Sequence, residues 1–119
     1  MKLAILDAHA DNPGDLSWKE FEKYAEISLY DRTNQNEIVE RAKDCEAIFI
    51  NKVQITENIL QQLPELKYIG VCATGYNVVD LNACSKRNII VTNIPSYSTM
   101  SVAQHVFSLI LFFFSLLTQ

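Results

Sequence analysis

Short apolar blocks alternate with amphipathic stretches along the first 95 residues of the chain. Five blocks are rich in β-branched and aromatic residues and are therefore predicted to be strands. Each block is apolar almost throughout, which is typical of parallel strands that are covered on both faces. The predicted strands span residues 3–6, 27–30, 47–50, 68–72 and 89–92.

The stretches between these strands show helical spacing and helix-start signals. Ser17 and Glu20 have the spacing of a capping box, which predicts the start of the first helix. Further helices are predicted over residues 36–43, 56–63 and 80–87. The alternation predicts an α/β fold, namely a flavodoxin-like, doubly wound, five-stranded parallel sheet in the order 2-1-3-4-5.

A long C-terminal helix is predicted over residues 99–119. Within it, residues 106–117 comprise ten apolar residues and two serines. A membrane-spanning helix needs about 20 apolar residues, and Gln104 with His105 limits this run to about a dozen. The pattern therefore favours a buried helix that other parts of a protein enclose, with a membrane span as the alternative.

Composition and charge exclude several classes of protein. The chain has 119 residues, with 10 Lys and Arg against 14 Asp and Glu, and a net charge of −4. This length suits one domain, and a mildly acidic chain without a basic stripe argues against nucleic-acid binding. Three cysteines without a Cys-x-x-Cys pair argue against a disulfide framework or a zinc site, so no metal is expected. The N-terminal apolar run is too short for a signal peptide, which predicts a cytoplasmic protein.

Glycine is scarce, and its positions carry information. The three glycines, Gly14, Gly70 and Gly75, are too far apart for a G-x-G-x-x-G or P-loop motif. The usual nucleotide-binding loops are therefore absent from these residues. The sequence also stops within an apolar run that has no cap or breaker, and we expect it to be the N-terminal piece of a longer protein.

Candidate chemistry lies where the predicted strands end, because ligands of open α/β sheets bind at the carboxyl ends of strands. After the fourth strand, small residues and Gly75 could let several backbone N–H groups form a cradle for a carboxylate or phosphate. After the third strand, Asn51 offers a donor amide beside the cation of Lys52. The alternatives are an ordinary turn at Gly75 and a solvated surface lysine.

Both histidines are predicted to have structural roles. His9 lies between Asp7 and Asp11 and is interpreted as part of a loop rather than of a metal site. His105, within an apolar helix, is interpreted as a core or interface histidine. No paired-carboxylate or Ser-His-Asp arrangement follows from the spacing of residues.

Three contiguous stretches, residues 66–80, 88–99 and 101–107, resemble the D-isomer-specific 2-hydroxyacid dehydrogenase family. The first reads LKYIGVCATGYNVVD and the second NIIVTNIPSYST. Together with Asn51 and Lys52, they are most similar to the glycerate dehydrogenase, or hydroxypyruvate reductase, branch. The resemblance runs over the whole chain and is strongest from Ala47 onward.

The resemblance implies a two-domain enzyme that transfers hydride between NAD(P)H and a small 2-oxo acid. Residues 1–98 would be the N-terminal segment of its substrate domain, completed by a returning C-terminal piece. Residues 99–119 would be an interdomain helix that precedes an NAD-binding Rossmann domain. The family's cofactor loop and catalytic Arg, Glu and His lie beyond this sequence, so no catalytic residue is expected here and the chain alone should be inactive.

The resemblance also assigns roles to residues at the predicted edge of the sheet. The substrate-binding residues would be Asn51, Lys52, Ala73, Gly75 and Tyr76, with backbone N–H groups around Gly75 holding the substrate carboxylate. The residues near the nicotinamide of NAD, or of NADP as a possible substitute, would be Thr74 and Val102.

The apolar C-terminal helix also predicts how the chain assembles, and two alternative classes of protein remain. An exposed apolar helix normally marks an interface, so we expect a homodimer or larger assembly through residues 99–119. One rival is a stand-alone interaction module that uses the same helix. The other is a receiver-type signalling domain, which requires an acidic phospho-acceptor where this chain has Asn51.

Overall fold

The structure, a computed structural model, describes residues 1–117. Its centre is a five-stranded, fully parallel sheet in the order β2-β1-β3-β4-β5, which confirms the predicted flavodoxin-like topology. Every predicted strand is present, with ends within one residue of the prediction. The strands are β1 (Lys2–Ile5), β2 (Glu26–Leu29), β3 (Ala47–Ile50), β4 (Tyr68–Val71) and β5 (Ile90–Thr92).

Within residues 1–117, six helices connect or follow the strands. The predicted loop around His9 is wrong in part, because a four-residue helix begins directly after Asp7. The end predicted at residue 119 lies outside the described residues. The helices are α1 (Ala8–Asp11), α2 (Lys19–Glu22), α3 (Ile38–Ala42), α4 (Glu57–Gln61), α5 (Leu81–Lys86) and α6 (Thr99–Leu117).

Two predicted helix starts have different outcomes. The Asp80 carboxylate caps α5 by accepting a hydrogen bond from the N–H of Ala83 at 3.0 Å, as the sequence indicated. The capping box at Ser17 is wrong, because Trp18 is the N-cap residue of α2. The helix starts later than predicted, and the Ser17 hydroxyl instead accepts from the N–H of Lys19 at 3.2 Å.

The two faces of the sheet are covered unequally. On one face, α3, α4 and α5 bury a large apolar cluster in which Ile48, Leu60 and Ile69 are fully inaccessible. The cluster on the other face is smaller, and Phe49 and Tyr68 at its border remain half-buried. A largely apolar cavity of about 420 Å³ opens beside these two rings.

Helix α6 differs from the rest of the chain. No side chain in Thr99–Leu117 is buried, and the molecule extends to 63 Å along its longest axis. The predicted burial of this helix is therefore not met within the described chain. By length and composition alone, α6 could also cross a membrane.

Candidate functional site at the carboxyl edge of the sheet

The carboxyl ends of β1 and β3 are joined through one carboxylate. Asp7 follows β1 and is only 6% exposed. Its Oδ2 accepts hydrogen bonds from three successive backbone N–H groups after β3: Asn51 at 2.9 Å, Lys52 at 2.7 Å and Val53 at 3.1 Å. Charge-assisted hydrogen bonds of this kind are the stronger ones in proteins. The backbone of the predicted substrate segment is thereby held by a residue that sequence reasoning did not select.

The side chain of Asn51 is also committed to the protein. Its Nδ2 donates to Asp11 Oδ1 at 2.7 Å and to the carbonyl oxygen of Cys72 at 3.2 Å, the latter just beyond β4. Both amide hydrogens are therefore used within the described part of the chain. Asn51 Oδ1 and Asp11 Oδ2 are buried acceptors without a hydrogen-bond partner among the described residues.

Two titratable groups beside Asn51 are perturbed by this environment. Burial raises the pKa of the Asp11 carboxyl, and the hydrogen bond from Asn51 together with the nearby Cys72 thiol opposes that rise. Burial, with the nearby Asp11 charge as a further cause, raises the pKa of the Cys72 thiol to about 12. Cys72 is therefore protonated near neutral pH and is a poor nucleophile there.

The loop after β4 contains the predicted cradle. Thr74 Oγ1 donates to the carbonyl oxygen of Ile94 at 3.1 Å, and Asn93 Nδ2 donates to the carbonyl oxygen of Thr74 at 2.8 Å. These contacts tie the loop to the segment after β5. The backbone N–H groups of Thr74, Gly75 and Tyr76 find no acceptor within residues 1–117 and lie on an exposed segment. Free donors are what an anion cradle requires.

Lys52 contacts Asp7 only through its backbone N–H. Its side chain is exposed and forms no ion pair with any carboxylate in the described part of the chain. With His9, Asp31 and Arg32 it borders a cavity of about 450 Å³. This cavity brings together acidic and basic side chains at the carboxyl edge of β1, β2 and β3.

The remaining predicted site residues are Ala73, Tyr76 and Val102. Ala73 is half-buried and its carbonyl oxygen accepts from the N–H of Ile94 at 3.0 Å. Tyr76 is half-exposed, and Val102, in the first turns of α6, is 58% exposed. Among residues 1–117, no three His, Cys, Asp or Glu side chains are grouped as a metal site would need.

Sequence reasoning missed the roles of Asp7, Asp11 and Cys72. The available signal was an aspartate directly after an apolar strand, since the carboxyl ends of neighbouring parallel strands meet at one edge of a sheet. This signal was missed because the segment around His9 was interpreted as a loop. A short helix there presents Asp11 to Asn51.

Comparison with known proteins defines the family. Residues 4–115 match the model of the D-isomer specific 2-hydroxyacid dehydrogenase catalytic domain. This match covers nearly the whole chain, so the chain belongs to the D-isomer specific 2-hydroxyacid dehydrogenase family, as its motifs indicated.

Individual relatives agree with this assignment. The chain is 40% identical to a hydroxypyruvate reductase of Blautia hydrogenotrophica over 93% of its own length and 35% of the relative. It is 42% identical to a glycerate dehydrogenase of Methylorubrum extorquens over 80% of its length and 31% of that protein. The chain thus spans about a third of the curated relatives that it matches.

A solved relative has the same fold. The D-lactate dehydrogenase of Aquifex aeolicus, complexed with NAD and lactic acid, superposes with a TM-score of 0.71 at 32% identity. The alignment covers 93% of this chain and 33% of that protein.

Proposed function

We propose that these residues form the N-terminal part of the substrate domain of an NAD(P)-dependent D-2-hydroxyacid dehydrogenase. The proposed reaction interconverts a small 2-hydroxy acid and its 2-oxo acid, with glycerate and hydroxypyruvate as the proposed pair. One observation carries the proposal: within residues 1–117, N–H groups around Gly75 that have no hydrogen-bond partner share the carboxyl edge of the sheet with Lys52, which has no ion pair there. Such a set suits a small carboxylate.

The residues divide between substrate and cofactor. The N–H groups of Gly75 and Tyr76 bind the substrate carboxylate in this proposal, while Lys52 supplies a cation nearby. Ala73 and Asn51 shape the same end of the site, and Asn51 acts through its position because its amide hydrogens are already used.

The nicotinamide cofactor contacts Thr74 and Val102 in this proposal. The Thr74 hydroxyl donates to Ile94, which leaves its oxygen free to accept a hydrogen bond from the cofactor's amide. The exposed Val102 offers an apolar contact. When bound, NAD supplies or accepts the hydride. We propose NAD, with which the Aquifex aeolicus relative was solved, and keep NADP as the alternative, because an acyclic imino acid reductase of the same fold was solved with NADPH.

The wider protein supplies the other parts of the enzyme. We propose that residues 1–98 belong to the substrate domain and that 99–119 lead into an NAD-binding domain with the catalytic Arg, Glu and His. The relatives are about three times as long as this chain, which supports the proposal. A returning C-terminal piece would then cover the open sheet face beside Phe49 and Tyr68.

The test begins with the DNA after codon 119. An open reading frame that encodes G-x-G-x-x-G and then Arg, Glu and His motifs supports this function. A native stop codon contradicts the enzyme and favours an interaction module built from the substrate-domain fold.

The intact protein is then assayed for NADH oxidation with hydroxypyruvate. Lys52→Met should raise KM for hydroxypyruvate about ten-fold, because a cation that contacts the bound anion is lost. Lys86→Met is the matched control, since Lys86 ends α5 at the opposite edge of the sheet. Absence of 2-oxo acid reduction, or equal effects of the two substitutions, would contradict the proposal.

We also propose that the protein is soluble, cytoplasmic and at least dimeric through α6. Residues 99–119 contain no Asp, Glu, Lys or Arg, and no α6 side chain is buried within the described chain. Such an apolar surface is normally covered by a partner. Light scattering at micromolar concentration should show a dimer or larger species, whereas a stable monomer would contradict this assembly. Partition into the membrane fraction would favour the alternative of a membrane span.

A further inference from the structure

We propose that Asp7 is a positioning residue, which fixes the Asn51–Lys52 segment so that the Lys52 side chain faces the substrate. The inference rests on the proposed function, in which Lys52 contacts the substrate. Asp7 itself is not assigned a contact with substrate or cofactor.

The first observation is the direction in which the Asp7 side chain bonds. Asp7 occupies the N-cap position of α1, where an aspartate commonly caps its own helix. Here the side chain makes no bond to α1 and reaches instead to a loop 44 to 46 residues away. Three successive N–H groups that face one oxygen form an anion nest, and the anion in this nest is a protein carboxylate.

The second observation is that this contact leaves Lys52 available. The N–H of Lys52 makes the shortest of the three bonds, at 2.7 Å, while its ammonium group has no ion pair within residues 1–117. The backbone donors satisfy the Asp7 oxygen. Lys52 is therefore held by its backbone, and its ammonium group remains available to a substrate anion at this edge of the sheet.

A third contact fixes the same segment from the other side. Asn51 bonds to Asp11 on α1 and to the Cys72 carbonyl oxygen after β4. The segment after β3 is thus connected to both neighbouring strand ends. Loss of the Asp7 charge should loosen the backbone contacts of residues 51–53 and leave the side-chain bonds of Asn51 in place.

The kinetic test uses Asp7→Asn in the intact protein, with hydroxypyruvate and NADH as substrates. Asparagine has nearly the shape of aspartate but lacks the charge that favours three N–H donors. We expect KM for hydroxypyruvate to rise about ten-fold, with KM for NADH and kcat changed less than about two-fold. In a Lys52→Gln background, the same substitution should raise KM less than about two-fold, because Asp7 acts through Lys52.

Asp44→Asn is the matched control, because Asp44 is an exposed carboxylate that lies with Lys2 and Glu46 at the opposite edge of the sheet. It should leave both KM values unchanged. A purely structural role for Asp7 would lower the melting temperature and the active fraction without moving KM, and that result overturns the proposal. Equal effects of Asp7→Asn in the wild-type and Lys52→Gln backgrounds also overturn it.

If the Asp7→Asn variant does not fold, hydrogen exchange of the unmodified protein tests the same contacts. Hydrogen exchange without substrate or cofactor should be at least about ten-fold slower at the amides of residues 51–53 than at those of 74–76, for which the described chain offers no acceptor. Equally fast exchange in both segments overturns the role of Asp7. An intact protein that shows this protection but no 2-oxo acid reduction contradicts the proposed function and leaves the Asp7 contacts supported.

Discussion

Leu60 and Leu111 are the same side chain in opposite surroundings. Leu60, on α4, is 0% exposed in the core of the sheet, whereas Leu111, on α6, is 67% exposed. The sequence around Leu111 is the more apolar of the two. Apolar content therefore does not determine burial within one chain. The crossover connections that return α3, α4 and α5 to the sheet bury their apolar faces, and α6 has no such return among the described residues.

The largest expected effect separates these two regions directly. Leu60→Ala should lower the free energy of unfolding by about 2–5 kcal/mol, since it opens a cavity in a closed core. In the monomeric chain, Leu111→Ala should lower it by less than about 0.5 kcal/mol, because Leu111 is exposed there and its truncation creates no cavity, whereas a dimer through α6 would make the loss larger and dependent on protein concentration. Urea denaturation followed by circular dichroism measures both values. Similar losses would show that α6 belongs to the same cooperative core.

Gly70 in the core and Gly75 at the edge of the sheet provide a second comparison of the two regions. A Cβ at Gly70 would lie 2.7 Å from Phe49 Cδ1, whereas a Cβ at Gly75 would meet only Asn77 Oδ1, at 3.2 Å. Gly70→Ala should cost about 1–3 kcal/mol of stability because the ring must move.

Gly75→Ala should cost less than Gly70→Ala, since the tip of Asn77 is free to turn. Thermal unfolding of both variants, with Phe49→Leu added to Gly70→Ala, measures the difference. If the smaller residue at position 49 fails to restore stability, contact with the Phe49 ring is not the cause.

The starts of α5 and α6 provide a finer comparison. The Asp80 side chain caps α5, whereas at the start of α6 the backbone oxygen of Ser98 accepts from Val102 and the Ser98 hydroxyl forms no hydrogen bond with any described residue. Asp80→Ala should therefore cost about 1 kcal/mol, and Ser98→Ala should be close to neutral. Urea unfolding midpoints measure both changes, and a loss at Ser98 as large as that at Asp80 would contradict the assignment of a single side-chain cap.

Local sequence patterns predicted the sheet well because its strands are short apolar blocks that begin and end where the pattern changes. Strand order followed from the alternation of strands and helices, and the cap at Asp80 from residue type and position. The bonds of Asp7 and Asn51 could not be predicted in this way. They join residues 21 to 46 positions apart, and each depends on how the strand ends meet in three dimensions.

The environment of the Cys72 thiol and the short helix α1 could not be predicted from the local sequence either. Cys72 was counted only as one of three cysteines, and nothing in its local sequence shows that a carboxylate from α1 lies beside it. The four residues of α1 are too few for a periodic pattern. Both features become visible only when β1, β3 and β4 lie side by side.

The smallest expected effect concerns the Cys72 thiol at this polar edge. Burial and the Asp11 charge raise the pKa of the thiol to about 12, so alkylation by iodoacetamide should be slow at pH 8. Asp11→Asn removes a negative charge beside the sulfur, which should lower this pKa and speed alkylation of Cys72 several-fold. Mass spectrometry of peptides that contain Cys72 measures the rate, and Cys84 provides the control because burial is the first cause of its raised pKa and the charge beside it is Asp80.

The raised pKa of the Cys72 thiol also makes the stability of the protein depend on pH. A thiol that ionises less readily in the folded state stabilises the protein below pH 9, and this contribution is lost as the pH rises towards 12. Acceleration of both cysteines alike by Asp11→Asn would mean that the substitution loosens the whole body rather than the contact between Asp11 and Cys72.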